Sequence, residues 1–418
     1  MRENQNAENI ARKDLPGMEL LGMTLLTILQ HGAGKLLKEA NEADVTAYLG
    51  RRRYEHGGEV PGHRNGHQET TMDTPIGPIT YDRQKLANAE DFKSRYHTPH
   101  VRRPAEFAAA VTDMYVNGVS TRKVKDALKA VSGEKIRMSK STVSRITRKL
   151  REEFQVWRKR SLSDLDVAYL FLDAIRVGMR MGGTGKDAVL VAYGILQDGS
   201  MELLSVDIGH SESDRSWGKF VESLKARGLK DPLMVCSDGN QGVIHAIDSW
   251  FPTSYRQRCL KHRTENILDA VPLGDDQERV MKLLHPIFYG ASSLEQAKIF
   301  VKKFQTAFRK EFPTAVSRLE ADLDQCLGFY LFPAHHWKRM RTSNKLERLN
   351  KEIRRRLNVI GRHPDELGCL SLIYAVTKKY AANQNKFKVG DLERQLWKKL
   401  REKKVEMIEQ LSLDLYVA

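Results

Sequence analysis

The 418-residue chain is short of cysteine, of long apolar runs and of acidic residues, and it contains neither an internal repeat nor a low-complexity tract. Its four cysteines, Cys236, Cys259, Cys326 and Cys369, are too few and too scattered for a disulfide framework in a chain of this size, so they are expected as reduced thiols. No Cys-x-x-Cys pair occurs, which leaves out a four-ligand zinc module. Cys259 and His262 in "CLKH" have half the spacing of one and read either as a metal contact or as a buried structural pair. The best apolar run, "MELLGMTLLTIL" at 18–29, contains Glu19 and falls short of the ~20 residues that a spanning helix needs. It also lacks a basic leader and a small-residue cleavage site, so a cytoplasmic protein is expected. Only 53 Asp and Glu oppose 69 Lys and Arg, a balance of +16 that favours a polyanionic partner: nucleic acid first, an anionic membrane surface second.

What is present suits a globular chain of two or three domains. Residues 1–50 read as helical, with Leu20, Leu21, Leu25, Leu26, Leu36 and Leu37 at amphipathic spacing. Residues 51–103 form a basic region rich in Gly and His, in which "TPIGPITYDRQKL" alternates like strands around a Gly77-Pro78 turn. Its histidines (His56, His63, His67, His97, His100), with Glu55 or Glu59, could bind metal but match no familiar module, and read better as surface residues beside phosphate. Residues 104–160 predict three helices, the second opened by Ser120 and the third by Ser139 or Ser141. That arrangement is a helix-turn-helix, and residues 122–160 hold fourteen Lys and Arg against four acids. Arg122, Lys123, Lys140, Ser141, Thr142, Arg145 and Arg148 are the candidate DNA contacts here.

From 161 to 265 the pattern is three strands ("VAYLFLDAIRVGMR", "KDAVLVAYGILQDG", "MELLSVDIGHSE"), a helix carrying Trp217, the strand "PLMVCSDGN", another helix and a short strand at "SYRQRC". This is the order of a ribonuclease H-like α/β core with a mixed five-stranded sheet. Asp173 interrupts the first apolar strand and Asp238 ends the fourth, although a lone Asp in "SDGN" would also suit a structural turn. Burying an unpaired carboxylate costs several kcal/mol unless it is paired or metal-bound. If these strands are sheet neighbours, both acids reach one sheet edge, where Glu347 on a later helix can add a third ligand. Two hard cations ~4 Å apart held there would serve in-line phosphoryl transfer. "SNKLERLNKEIRRRLN" at 343–358 surrounds Glu347 with basic residues, of which Arg348, Lys351, Arg354 and Arg355 are candidate phosphate contacts. Asp207 and Glu212 are rival acids, read as structural or as supporting a ligand, and Glu352, five residues from Glu347, falls on a different helix face.

In this order, "RNGH" (with Arg64), "TPIGPITYDR", "MYVNGVSTRKV", "STVSRI", "FLDAIRVGMR", "SWGKFVESLKARGL", "VCSDGNQGVIHAI", "QRCLKH" and "TSNKLERLNKEIRRR" resemble the mutator-type transposases of bacterial insertion sequences, from about Arg64 to His363. The resemblance implies a catalytic Asp-Asp-Glu at Asp173, Asp238 and Glu347, and a Cys-x-x-His element at Cys259 and His262. It also implies a helical insertion over 266–335, since 347 − 238 = 109 residues is long for a bare core. Residues 336–385 would then complete the core and 386–418 form a helical tail. Mg2+, with Mn2+ as substitute, double-stranded DNA carrying terminal inverted repeats, target DNA, and a homodimer on DNA follow as expectations. The departures, Ile175 where an aromatic is common and a short basic stretch at "DRQKL", touch DNA contacts and not the chemistry. A DNA-binding regulator derived from a transposase and a nuclease without strand transfer are the competing functions.

Overall fold

The computed structural model describes residues 24–57, 60–98, 101–132, 138–178, 186–209, 213–341, 344–360, 365–384, 386 and 388–417, without the side chains of 178, 186–187, 344–347, 360 and 411–417. The chain divides into two compact units, Met1–Lys149 and Leu150–Ala418. Leu20 and Leu21, His100, Glu59 and Glu212 lie outside the described residues.

In the first unit, helix α1 (Leu25–Leu49) is capped by the Thr24 hydroxyl and closed by Gly50 in the left-handed region, φ 64°. It packs on an antiparallel hairpin of β1 (His63–Thr74) and β2 (Gly77–Ala87). Buried Asn41 on α1 accepts the Gln84 backbone N–H of β2 at 2.8 Å. The hairpin turn falls at Pro75-Ile76, two residues before the expected Gly77-Pro78, because Thr74 pairs with Gly77 across the ladder. Gly77, at φ 107°, also leaves no room for a side chain: a Cβ there would meet the Ser132 carbonyl oxygen at 2.5 Å. Helices α2 (Ala105–Val116), α3 (Val124–Ser132) and α4 (Lys140–Ile146) enclose a small core of Phe107, Val111, Val124, Leu128, Met138 and Val143. The Ser139 hydroxyl caps α4 by accepting the Thr142 N–H at 3.1 Å. The expected long third helix is broken at Thr147, whose hydroxyl donates back to the Ser144 carbonyl. Helix α5 (Arg148–Trp157) then begins afresh.

The second unit is built on strands β3 (Val167–Gly178), β4 (Lys186–Leu196), β5 (Met201–Gly209), β6 (Met234–Ser237) and β7 (Tyr255–Arg258) in the order β5-β4-β3-β6-β7. The first three form an antiparallel meander; β6 and β7 add in parallel to β3. Alternation along β3 sends Leu170, Leu172 and Ala174 to one face, where α6 (Asp214–Ala226) and α7 (Gln241–Trp250) supply Trp217, Phe220, Val221, Leu224, Val243 and Ile247. The opposite face meets the later helices α14 (Asn344–Ile360) and α15 (Glu366–Ala382), the latter buried almost throughout its first three turns. α15 in turn stacks Tyr374 against Phe154 and Trp157 of α5.

Between the sheet and α14 the regular elements of the described residues are helices: α8 (Leu260–Leu268), α9 (Asp275–His285), α10 (Leu294–Phe308), α11 (Pro313–Ala321), α12 (Leu323–Cys326) and α13 (Ala334–Met340). Helix α16 (Asp391–Val417) forms the tail. None of the helices among the described residues is long and apolar enough to cross a membrane.

Candidate active site

The parallel pairing of β3 with β6 brings the two aspartates together. Phe171 stands opposite Cys236, so Asp173 (171 + 2) and Asp238 (236 + 2) occupy equivalent positions at one sheet edge. They line one pocket with Phe171, Leu172, Cys236, Ser237, Cys259 and His262, and the space enclosed is about 10 Å³, sufficient for one water or an ion of similar size. Both carboxylates are oriented by local backbone. Asp173 Oδ1 accepts the Ala174 N–H at 2.9 Å, and Asp238 Oδ1 accepts the Asn240 N–H at 3.1 Å, in the turn that leads into α7.

Asp173 has a further partner that sequence reasoning missed. Asn350, on α14 and only 4% exposed, donates from Nδ2 to Asp173 Oδ2 at 2.6 Å. Glu347 occupies the position one turn earlier on the same helix; its side chain lies outside the described residues. Leu349, Ile353 and Leu357 anchor α14 to the core, whereas Arg348, Lys351, Arg354 and Arg355 are exposed on it. Glu352 is engaged along its own helix by Arg355 at 3.3 Å and by Arg356. Asp207 pairs with Arg158 at 3.3 Å, in keeping with a structural role.

The electrostatics at the sheet edge are those of a crowded anionic pair. Burial pushes the Asp173 carboxyl above its ordinary value and the charge of Asp238 adds to this, against the Ala174 N–H, His262 and Asn350. His262 is hydrogen bonded to Cys259; that bond and the nearby aspartates hold its imidazole up at about 9, against burial. Burial likewise raises the Cys236 thiol well above its usual range, so this cysteine is inert. Two oxygen donors sharing one edge, with mutual repulsion and room for a small ion, form a donor set suited to a hard divalent cation. Among the described residues, His56, His63, His67 and His97 included, no set of three or more His, Cys, Asp or Glu gathers into a metal cage.

The candidate DNA contacts separate into two kinds. Arg122, Lys123, Lys140, Ser141, Arg145 and Arg148 are exposed in the described surface. Thr142 is buried, its hydroxyl 2.9 Å from that of Ser139, and helps to cap α4. Arg64 spends its guanidinium inside the first unit, on Glu42 at 3.0 Å, Thr46 at 2.8 Å and the carbonyls of Arg51 and Arg52. Trp217 is 1% exposed in the core under α6, as a structural residue.

The family described as "Transposase, Mutator family" matches residues 26–386. The transposase for insertion sequence element ISRM5 of Rhizobium meliloti is 34% identical over 344 residues, covering 82% of this chain and 84% of the relative. That for IS406 of Burkholderia multivorans is 33% identical over 350 residues, covering 82% and 89%. The transposase for IS256 in transposon Tn4001 of Staphylococcus aureus is 28% identical over 344 residues, covering 80% and 85%. With a match that spans most of its length and takes in both aspartates, the chain belongs to the Mutator family of transposases.

Proposed function

We propose that this chain is the transposase of a bacterial insertion sequence: it binds the element's terminal inverted repeats, cleaves the DNA at the element's ends and joins the resulting 3′-hydroxyls to target DNA. The observation that carries the reading is the equivalent register of Asp173, in β3, and Asp238, just past the end of the adjacent parallel strand β6. The sheet order, a meander extended by two parallel strands, supports a ribonuclease H-like catalytic core.

Asp173 and Asp238, with Glu347 from α14, would hold Mg2+ or Mn2+, which supplies activation of the attacking oxygen and stabilisation of the leaving one. The chain's own residues do the rest. Ala174, Asn240 and Asn350 hydrogen bond to the two carboxylates and keep them from swinging. Arg348, Lys351, Arg354 and Arg355 line the exposed side of the same helix, where they can hold phosphates of the bound strand. Helices α2 to α4 act as the helix-turn-helix that reads the ends, with α4 in a major groove. A regulator that only binds DNA has no physical need for two acids crowded in a basic protein.

The test is cleavage and strand transfer on labelled DNA from the borders of this reading frame, with Mg2+, by the protein and by Asp173→Ala, Asp238→Ala and Glu347→Ala. Each variant is expected to bind the ends normally and to lose both reactions. Near-normal turnover by a variant removes that residue from the site; cleavage without joining favours a nuclease.

A further inference from the structure

Asp238 is backed by a buried cation that the proposed chemistry does not use. Arg258, the last residue of β7 and 6% exposed, reaches across the turn and donates from Nη1 to the Asp238 backbone carbonyl at 2.5 Å. Its guanidinium occupies the place a side chain would take at the next residue: a Cβ built on Gly239 would coincide with it. Gly239 therefore serves to admit Arg258, and the Asp238-Gly239 peptide is clamped from behind. Arg258 Nε lies 3.7 Å from Asp322 Oδ2, and Arg263, 5% exposed, lies 3.2 Å from the same oxygen. Asp322 stands at the junction of α11 and α12, in the helical insertion.

The insertion grips the end of β7 at neighbouring points as well. Gln257 donates to the Cys326 carbonyl at 3.3 Å and accepts the Phe329 N–H at 2.8 Å, and a Cβ on Gly328 would press on the Arg256 carbonyl at 3.0 Å. Two buried guanidinium groups share the Asp322 carboxylate, so among the described residues one positive charge is left without a carboxylate of its own. Such a charge is costly unless a nearby dipole or anion stabilises it. The Asp238 carbonyl supplies the dipole, and the charge in return holds that carbonyl in place.

We infer that Arg258 is a positioning residue for the second carboxylate, and that the helical insertion sets the aim of Asp238 through Asp322 and Arg258. The inference rests on the reading of Asp238 as a metal ligand. Breaking the clamp should leave the carboxylate present but mis-aimed, which weakens metal binding before it weakens the fold. Loss of groups that orient ligands typically costs ten- to a hundredfold in metal affinity.

The experiment measures Mn2+ binding to the full-length protein by the electron paramagnetic resonance signal of the free ion, together with the melting temperature. Wild type and Asp238→Ala serve as references, and Arg258→Met, Arg258→Lys and Asp322→Asn as probes. Arg258→Met should lower Mn2+ affinity about tenfold or more. Arg258→Lys should recover part of the loss, and Asp322→Asn should fall between Arg258→Met and wild type. Should Arg258→Met fail to fold, the Lys and Asn variants carry the comparison. Wild-type affinity within twofold in the folded variants overturns the inference. Equal affinity of wild type and Asp238→Ala instead overturns the reading of Asp238 as a ligand, and the two failures are thereby distinct.

Discussion

Asn350 spends a donor on Asp173 at 2.6 Å, while its buried carbonyl oxygen has no hydrogen-bond partner among the described residues. A buried amide so placed fixes an orientation more than it adds stability. Asn350→Ala is therefore expected to reduce cleavage ten- to a hundredfold, with binding to end DNA unchanged in a gel-shift control. Asn350→Asp should be worse, since it sets another carboxylate against one already crowded by Asp238. A cleavage rate within twofold of wild type for Asn350→Ala would show that Asp173 needs no such support. Asp173 was legible in the sequence because an acid within an apolar strand demands a reason. Asn350 was not, because among Glu347, Lys351 and Arg354 it reads as one more polar residue of a solvated helix. Only its contact with a residue 177 positions away reveals it. Arg64 misled in the opposite sense: in a basic stretch it looks available to phosphate, yet its donors serve Glu42, Thr46 and two carbonyls.

At the scale of elements, β3 is joined to the last helices by a buried polar contact. The Tyr169 hydroxyl lies 2.8 Å from His336 Nδ1 on α13, and Trp397 of α16 packs its ring against both. Burial, with His335 adding, depresses His336 to about 4. The unfolded chain, with an ordinary histidine near 6.5, binds this proton more readily than the fold does. Stability from this group is thus complete above about pH 6.5 and is lost as pH falls towards about 4. His336→Gln should flatten that limb of the melting temperature against pH, at some cost at neutral pH; an unchanged slope would mean that His336 is free to protonate in place. The order of strands and helices from β3 to β7 could be read from alternation and helical periodicity, whereas a helical insertion was implied only by the family resemblance. The break at Thr147 and the turn at Pro75-Ile76 could not, because a hydroxyl bonding back to the Ser144 carbonyl and a ladder register are decided by geometry, not by residue type. The separate helix α4 that the break creates sharpens one prediction. Exposed Arg145 in its last turn should contribute specificity, so Arg145→Ala should weaken binding to end DNA by about 1–3 kcal/mol and to random duplex by less. Equal loss on both DNAs, measured by competition binding, would assign Arg145 to phosphate alone.

At the scale of the whole molecule, charge and active-site count point to one assembly. A surplus of +16 makes contact with DNA strongly dependent on counterion release, so affinity for the ends should fall steeply between 50 and 200 mM salt. Each chain carries one Asp173–Asp238 pair, whereas transposition must cut and join two element ends. The simplest solution is two chains on paired ends, each supplying one site, whatever the state of the free protein. Mixing wild-type chains with Asp238→Ala chains gives a direct measure, because the variant should still occupy an end while contributing no chemistry. With equal amounts of both, about a quarter of randomly assembled pairs hold two intact sites, and joining of both ends should fall to about that fraction while single-end cleavage falls only to about half. Light scattering of the DNA-bound wild type should then give at least two chains per pair of ends. A complex of one chain and one end that is fully competent for joining, or joining that falls only in proportion to the wild-type fraction, would mean that a single Asp173–Asp238 site serves both ends in turn.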